Sequence, residues 1–179
     1  MKKGFVLVLL FISSVAFSQQ LVTRNGYVGF FSKTPLEDIK AESSQANAVL
    51  NLGTKSLAVA VLMKGFLFPK ALMQEHFNEN YIESDKFPKA TFSGTYTGAL
   101  DETKNGTYPV MVKGALSLHG VTRPIETPAT FVVDQGKLKG KTTLAVKPQD
   151  FNIKIPALVR DKIAKQITVS AILQFQLSD

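Results

Sequence analysis

Between Val110 and Val133 apolar residues recur at every second position, and no other stretch constrains the fold as tightly. Val110, Val112, Gly114, Leu116 and Leu118 share one face of an extended chain, and Met111, Lys113, Ala115, Ser117 and His119 share the other. Gly120 and Pro124 interrupt the pattern, which resumes at Ile125, Thr127, Ala129, Phe131 and Val133. A period of two with one apolar face marks a strand packed on one side, and two such runs around a short Gly/Pro connector predict an antiparallel pair.

The same period recurs along the chain. Tyr27 to Phe31 reads as a first strand, ended by Ser32 to Pro35, where Thr34 and Pro35 are suited to start a short helix through Leu36-Glu37-Asp38-Ile39-Lys40-Ala41. Ala46–Leu52 and Leu57–Met63 flank Gly53-Thr54-Lys55-Ser56 as a hairpin. The second arm is apolar on both faces, through Ala58, Ala60 and Leu62 as well as Leu57, Val59, Val61 and Met63, so cover on both sides is expected. Pro69 to Asn80 carries helical spacing, with Leu72, Met73, His76 and Phe77 leading inward.

A strand then runs from Phe87 to Leu100. Leu138, Gly140, Thr142, Leu144 and Val146 alternate with water-facing lysines at 137, 139 and 141, and a last strand alternates from Ile167 to Leu177. Pro148 to Pro156 is irregular, and Ala157 to Ile163 suits a helical turn. Eight to ten strands, one helix and no strand–helix alternation predict an all-β antiparallel fold, either a closed barrel or a sandwich.

The first 18 residues read as a secretory signal peptide. Lys2 and Lys3 precede the apolar run Gly4–Ile12, and Ala16-Phe17-Ser18 forms a small-x-small cleavage site, so residues 19–179 form the expected single mature domain. Removing Lys2 and Lys3 lowers the formal charge from +7 to +5. In an exported chain this basic balance points away from nucleic acid and toward solubility or contact with anionic lipid. With no cysteine, the core holds without disulfides and no lipid attaches through a thiol.

Little supports catalysis. There is no cysteine nucleophile, no GxSxG and no phosphate-binding glycine loop, and the two histidines are far apart. His76 and Glu79 have helical ligand spacing, yet a metal site needs three or four donors. His119, before Gly120, is placed either to bond the turn or, with Arg123, to form a polar rim for a ligand head. Thirteen Phe, three of them in the leader, and no Trp supply large apolar surfaces. These fill a solid core or line a cavity, and patterning does not separate the two.

Three strings resemble the YceI-like family, secreted bacterial proteins regarded as lipocalin-like binders of polyisoprenoids: Phe87-Pro88-Lys89-Ala90-Thr91-Phe92, Leu116-Ser117-Leu118-His119-Gly120-Val121-Thr122-Arg123-Pro124-Ile125 and Gln149-Asp150-Phe151-Asn152-Ile153. The stretch between Pro69 and Lys86 is similar to that family's helix. The chain departs from the pattern at Pro148, where the family often has arginine.

The resemblance implies a lipocalin-like antiparallel barrel of about eight strands, with one helix near 69–80 and an apolar tunnel for a polyisoprenoid, an isoprenoid quinone or a fatty amide. It implies no catalytic constellation, cofactor or metal, and a periplasmic or secreted location. Chosen by face and by nearness to the helix, the expected lining is Phe66, Phe68, Leu72, Met73, Phe77, Phe92, Leu116, Leu118, Phe131, Leu144, Phe151 and Ile153. Transient membrane-surface contact and a homodimer are both compatible with this reading. The alternative is a non-enzymatic, stress-related interaction module with a filled core and a Lys-rich surface.

Overall fold

The computed structural model describes residues 20–177; the expected signal peptide lies outside them. Eight antiparallel strands follow one another around a closed barrel: β1 (Gln20–Lys33), β2 (Asp38–Asn51), β3 (Ser56–Leu62), β4 (Lys89–Thr97), β5 (Gly106–Leu118), β6 (Val121–Asp134), β7 (Lys137–Val146) and β8 (Ile167–Gln176). Closure comes from β1 and β8, where Tyr27–Phe31 pairs with Thr168–Ile172. A closed sheet leaves no edge for adventitious pairing.

The meander sorts its connections by end. Tight turns join β2 to β3 and β6 to β7, and a short loop joins β4 to β5, all at one end of the barrel. The other end carries the β1–β2 and β5–β6 turns and both long connections, residues 63–88 and 147–166. Every helical segment therefore lies at this second end.

The inward faces of β5 to β8 follow the predicted alternation, and the lysines of β7 lie on its other face. Several expectations are corrected. Residues 36–41 do not form a helix; they include the start of β2, which pairs with β1 from Lys33↔Asp38 onward. Thr34 still caps, but it caps a turn: its Oγ1 accepts from the Leu36 and Glu37 amides. The outer face of β3 is open to solvent, with Leu62 51% exposed.

Pro124 does not interrupt a strand. Both Pro124 and Pro128 sit within β6 opposite Ala115 and Met111, on the stretch that β7 does not reach, since β6–β7 pairing covers only Ala129–Asp134. A residue lacking an N–H is tolerated where no ladder partner exists on that side. The Pro69–Asn80 helix shortens to α1 (Ala71–His76), continued by a π turn over Phe77–Tyr81.

The interior is packed in two parts. Near the tight turns, Leu50, Leu138 and Phe175 are at most 1% exposed and form a solid plug with Leu21, Tyr96 and Val133. Toward the helical end, Phe66, Met63 and Ile82 are buried, but inward residues such as Phe30, Leu116, Leu144 and Val169 are only partly so. An inward side chain inside a closed barrel stays partly exposed only if it faces a void. The structure thus resolves the filled-or-hollow question by level: filled at one end, hollow toward the other.

Candidate functional site

The void is a single chamber of about 610 Å³, lined by residues of the barrel strands and of both long connections. That volume lies within the range of small-molecule sites. Its floor includes Phe92, whose ring lies over the cross-strand pair Gly94↔Gly114; a Cβ on either glycine would meet Phe92 Cζ at 2.7 Å. The two glycines give the aromatic ring a flat bed, which the alternation of β4 and β5 places inside the barrel.

Four phenylalanines build one wall. Phe30 on β1 stacks on Phe77, with ring centroids 5.4 Å apart, and meets Phe66 at 5.5 Å and Phe68 at 5.8 Å. Phe68 and Phe77 are 5.1 Å apart. These contacts seat the helical connection against the barrel, helped by the Leu67–Glu42 bridge, where each residue's amide donates to the other's carbonyl.

Most of the chamber's lining is apolar, and three of its hydroxyls are engaged by protein. Ser32 Oγ accepts from the Ala164 amide at 2.9 Å, and Thr142 Oγ1 donates to the Pro128 carbonyl at 2.8 Å. Thr127 Oγ1 is shared among Thr142 Oγ1 and the Thr143 carbonyl. Among the described residues, no buried side-chain nitrogen or oxygen lacks a partner. The charged lining residues are Glu37, Lys70 and Lys162, at the helical end, and Lys141, exposed on the flank of β7. A wall of this kind suits hydrocarbon and penalises a polar guest.

Eleven of the twelve residues expected along the tunnel line this chamber: Phe66, Phe68, Leu72, Met73, Phe77, Phe92, Leu116, Leu118, Phe131, Leu144 and Ile153. Leu72 does so from the opening, 60% exposed. Phe151 is the exception; it is buried in the adjoining core and does not reach the chamber. The list missed Val28, Phe30, Ile39, Ile125, Val169 and Ala171, which also line it. All except Ile39 lie on strand faces already legible from their period of two.

His119 and Arg123 are not at the chamber. His119 Nδ1 donates to the Phe151 carbonyl at 3.0 Å, while Nε2 lies 3.2 Å from Glu83 Oε2. Arg123 Nε donates to the Asp150 carbonyl at 2.9 Å. The Phe87 ring covers the imidazole at 4.4 Å between centroids, and a Cβ on Gly120 would strike Phe87 at 2.6 Å. His119 and Gly120 both have positive φ, 51° and 72°, so they form the tight turn between β5 and β6, and Gly120 has two reasons to lack a side chain.

The three strings singled out in the sequence therefore meet at one junction. It ties residues 148–153 across the gap that β6 and β7 leave between them. Replacing His119 by alanine should cost about 1–3 kcal/mol, because it orphans a carbonyl and uncovers Phe87; urea denaturation measures this, and an unchanged midpoint would show that the junction is not structural.

Lys86 and His119 both bond the Glu83 carboxylate, Lys86 first, and hold its pKa below the ordinary carboxylate range. A lowered folded pKa contributes stability above the unfolded value and loses it as pH falls through the folded one. The wild-type melting temperature should accordingly exceed that of Glu83→Gln at neutral pH and converge with it in acid. A constant gap across that pH range would contradict the assignment.

His76 and Glu79 gain no further donors: among the described residues, no group of three or more His, Cys, Asp or Glu side chains is placed to hold a metal. No described helix is long and apolar enough to cross a membrane.

The sequence matches the YceI-like domain over residues 13–175. The chain belongs to the YceI-like family. No curated protein matches it in sequence. Solved structures similar to this YceI-like protein include a polyisoprenoid binding domain from Saccharophagus degradans implicated in plant cell wall breakdown, at 13% identity and a TM-score of 0.75, covering 90% of this chain and 99% of that one. Burkholderia cenocepacia BcnA aligns at 15% identity and a TM-score of 0.70, over 83% of this chain and 95% of its own. The Campylobacter jejuni YceI protein aligns at 15% identity and a TM-score of 0.57, over 100% and 94%. At such identities the likeness is one of fold.

Proposed function

We propose that this YceI-like protein is an exported, non-enzymatic lipid carrier that sequesters a polyisoprenoid, an isoprenoid quinone or a fatty amide in its chamber, in the periplasm or outside the cell. The observation that carries the reading is the chamber itself: about 610 Å³, walled mainly by Phe, Leu, Val and Ile, with the Ser32, Thr127 and Thr142 hydroxyls already bonded to protein. Roughly ten buried methylene equivalents are worth about 8 kcal/mol before ordering costs, so an apolar chain binds here without directional contacts. Membership of the family, and the similar fold of a domain described as polyisoprenoid binding, support the same ligand class.

The test is organic extraction of protein purified after export, with the released lipid identified by mass spectrometry. A near-stoichiometric apolar chain is expected. Protein that is folded and monodisperse yet yields no lipid, and takes up none from an added isoprenoid quinone, would remove the carrier reading.

A further inference from the structure

The chamber opens among three segments: the β1–β2 turn, α1 and the 157–163 turn, which contribute Glu37 and Ile39, Lys70 and Leu72, and Val159 and Lys162 to its lining. Each segment also holds up one large aliphatic side chain that is mostly open to solvent. Leu36 is 68% exposed, Leu72 60% and Leu158 93%. A single exposed leucine needs no explanation. One on each of three separate segments around the entrance to an apolar chamber does, because such a rim marks an interaction surface.

The charges around the leucines are uneven. Lys33 stands opposite Asp38 in the β1–β2 register, and Lys70 Nζ lies 3.9 Å from Glu37 Oε1, so these largely offset one another. The third segment keeps an excess, with Arg160, Lys162 and Lys165 against Asp161. The segment is tied to the barrel through the Ala164 amide on Ser32, so its bases are held beside the mouth.

We propose that this end of the barrel docks on an anionic phospholipid bilayer, with Leu36, Leu72 and Leu158 entering the interface and Arg160, Lys162 and Lys165 meeting lipid headgroups. Apolar side chains flanked by bases are the chemistry that the boundary between acyl chains and anionic headgroups accepts. Docked this way, the mouth faces the bilayer, and an apolar chain passes between membrane and chamber without crossing water. The inference rests on the carrier reading for its purpose, but docking is measurable without any ligand.

The experiment is co-sedimentation with phosphatidylcholine vesicles, with and without phosphatidylglycerol as the minor lipid. Wild type should bind the anionic vesicles and release with salt. Leu36→Ser/Leu158→Ser, whose side chains support no packing, should fold normally and bind at least about tenfold more weakly, as should Arg160→Gln/Lys162→Gln/Lys165→Gln. Lys137→Gln/Lys139→Gln/Lys141→Gln, on the barrel flank, should bind like wild type.

Leu116→Trp, which fills the chamber, should still dock, so loss of lipid content and loss of docking are separate results. Unchanged binding by the leucine variant would overturn the proposal. So would loss confined to the β7 lysine variant, or a wild-type dimer that the leucine variant dissociates, since the rim would then cover a second copy.

Discussion

Leu116→Trp is expected to emerge from purification folded and without bound lipid. Leu116 points inward from β5 beside Phe92 on β4, and lines the chamber while only partly buried. An indole there projects into empty space rather than into a packed neighbour, so the usual cost of overpacking is largely avoided. Displacing even about four methylene equivalents of ligand removes about 3 kcal/mol, a loss of more than a hundredfold in affinity. Met111→Trp is the matched control. Met111 lies on the outer face of β5, exposed and outside the chamber lining, so its replacement should leave lipid content unchanged. Lipid retained by Leu116→Trp would mean that the ligand lies elsewhere.

The second large effect separates the two halves of the interior. Leu50 and Leu138 are fully buried in the plug, and truncating either to alanine should cost about 2–5 kcal/mol. Leu144 and Leu116 face the void, so their outer methyl groups already lack partners, and the same truncation should cost only about 1 kcal/mol in the ligand-free protein. Urea unfolding at constant m-value reads this difference directly. Equal losses in plug and wall would describe a uniformly filled barrel, and the chamber with it would disappear.

The strands were largely legible because a closed barrel with a polar exterior imposes a period of two, and β5 to β8 display it almost without interruption. What misled was local chemistry overridden by pairing. Thr34-Pro35 carries the marks of a helix start, but residues 38–51 gain a full ladder against β1 and take the extended form instead. Pro124 reads as a break, yet it occupies the part of β6 that β7 does not reach.

Parity places Phe92, Leu116, Leu118, Phe131 and Leu144 on inward strand faces, whereas Phe66, Phe68, Leu72, Met73, Phe77 and Ile153 are chosen by nearness to the helix. Sequence could not show where the filling stops, because Leu50 and Leu144 carry the same side chain and differ only in what stands opposite. For His119 the sequence allows either a bond within the turn or, with Arg123, a polar rim for a ligand head. Their partners are backbone carbonyls of residues 150 and 151, a long-range contact that no local pattern encodes.

The most direct test of the central claim is a crystal structure of the full chain expressed and purified from a bacterial host without added ligand. The expected result is continuous elongated density running from the Phe92 floor past Leu116 and the four-phenylalanine wall to the opening at Leu72, with no ordered water beside the threonines. A lumen closed by inward-turned side chains, or filled with hydrogen-bonded water, would contradict the account.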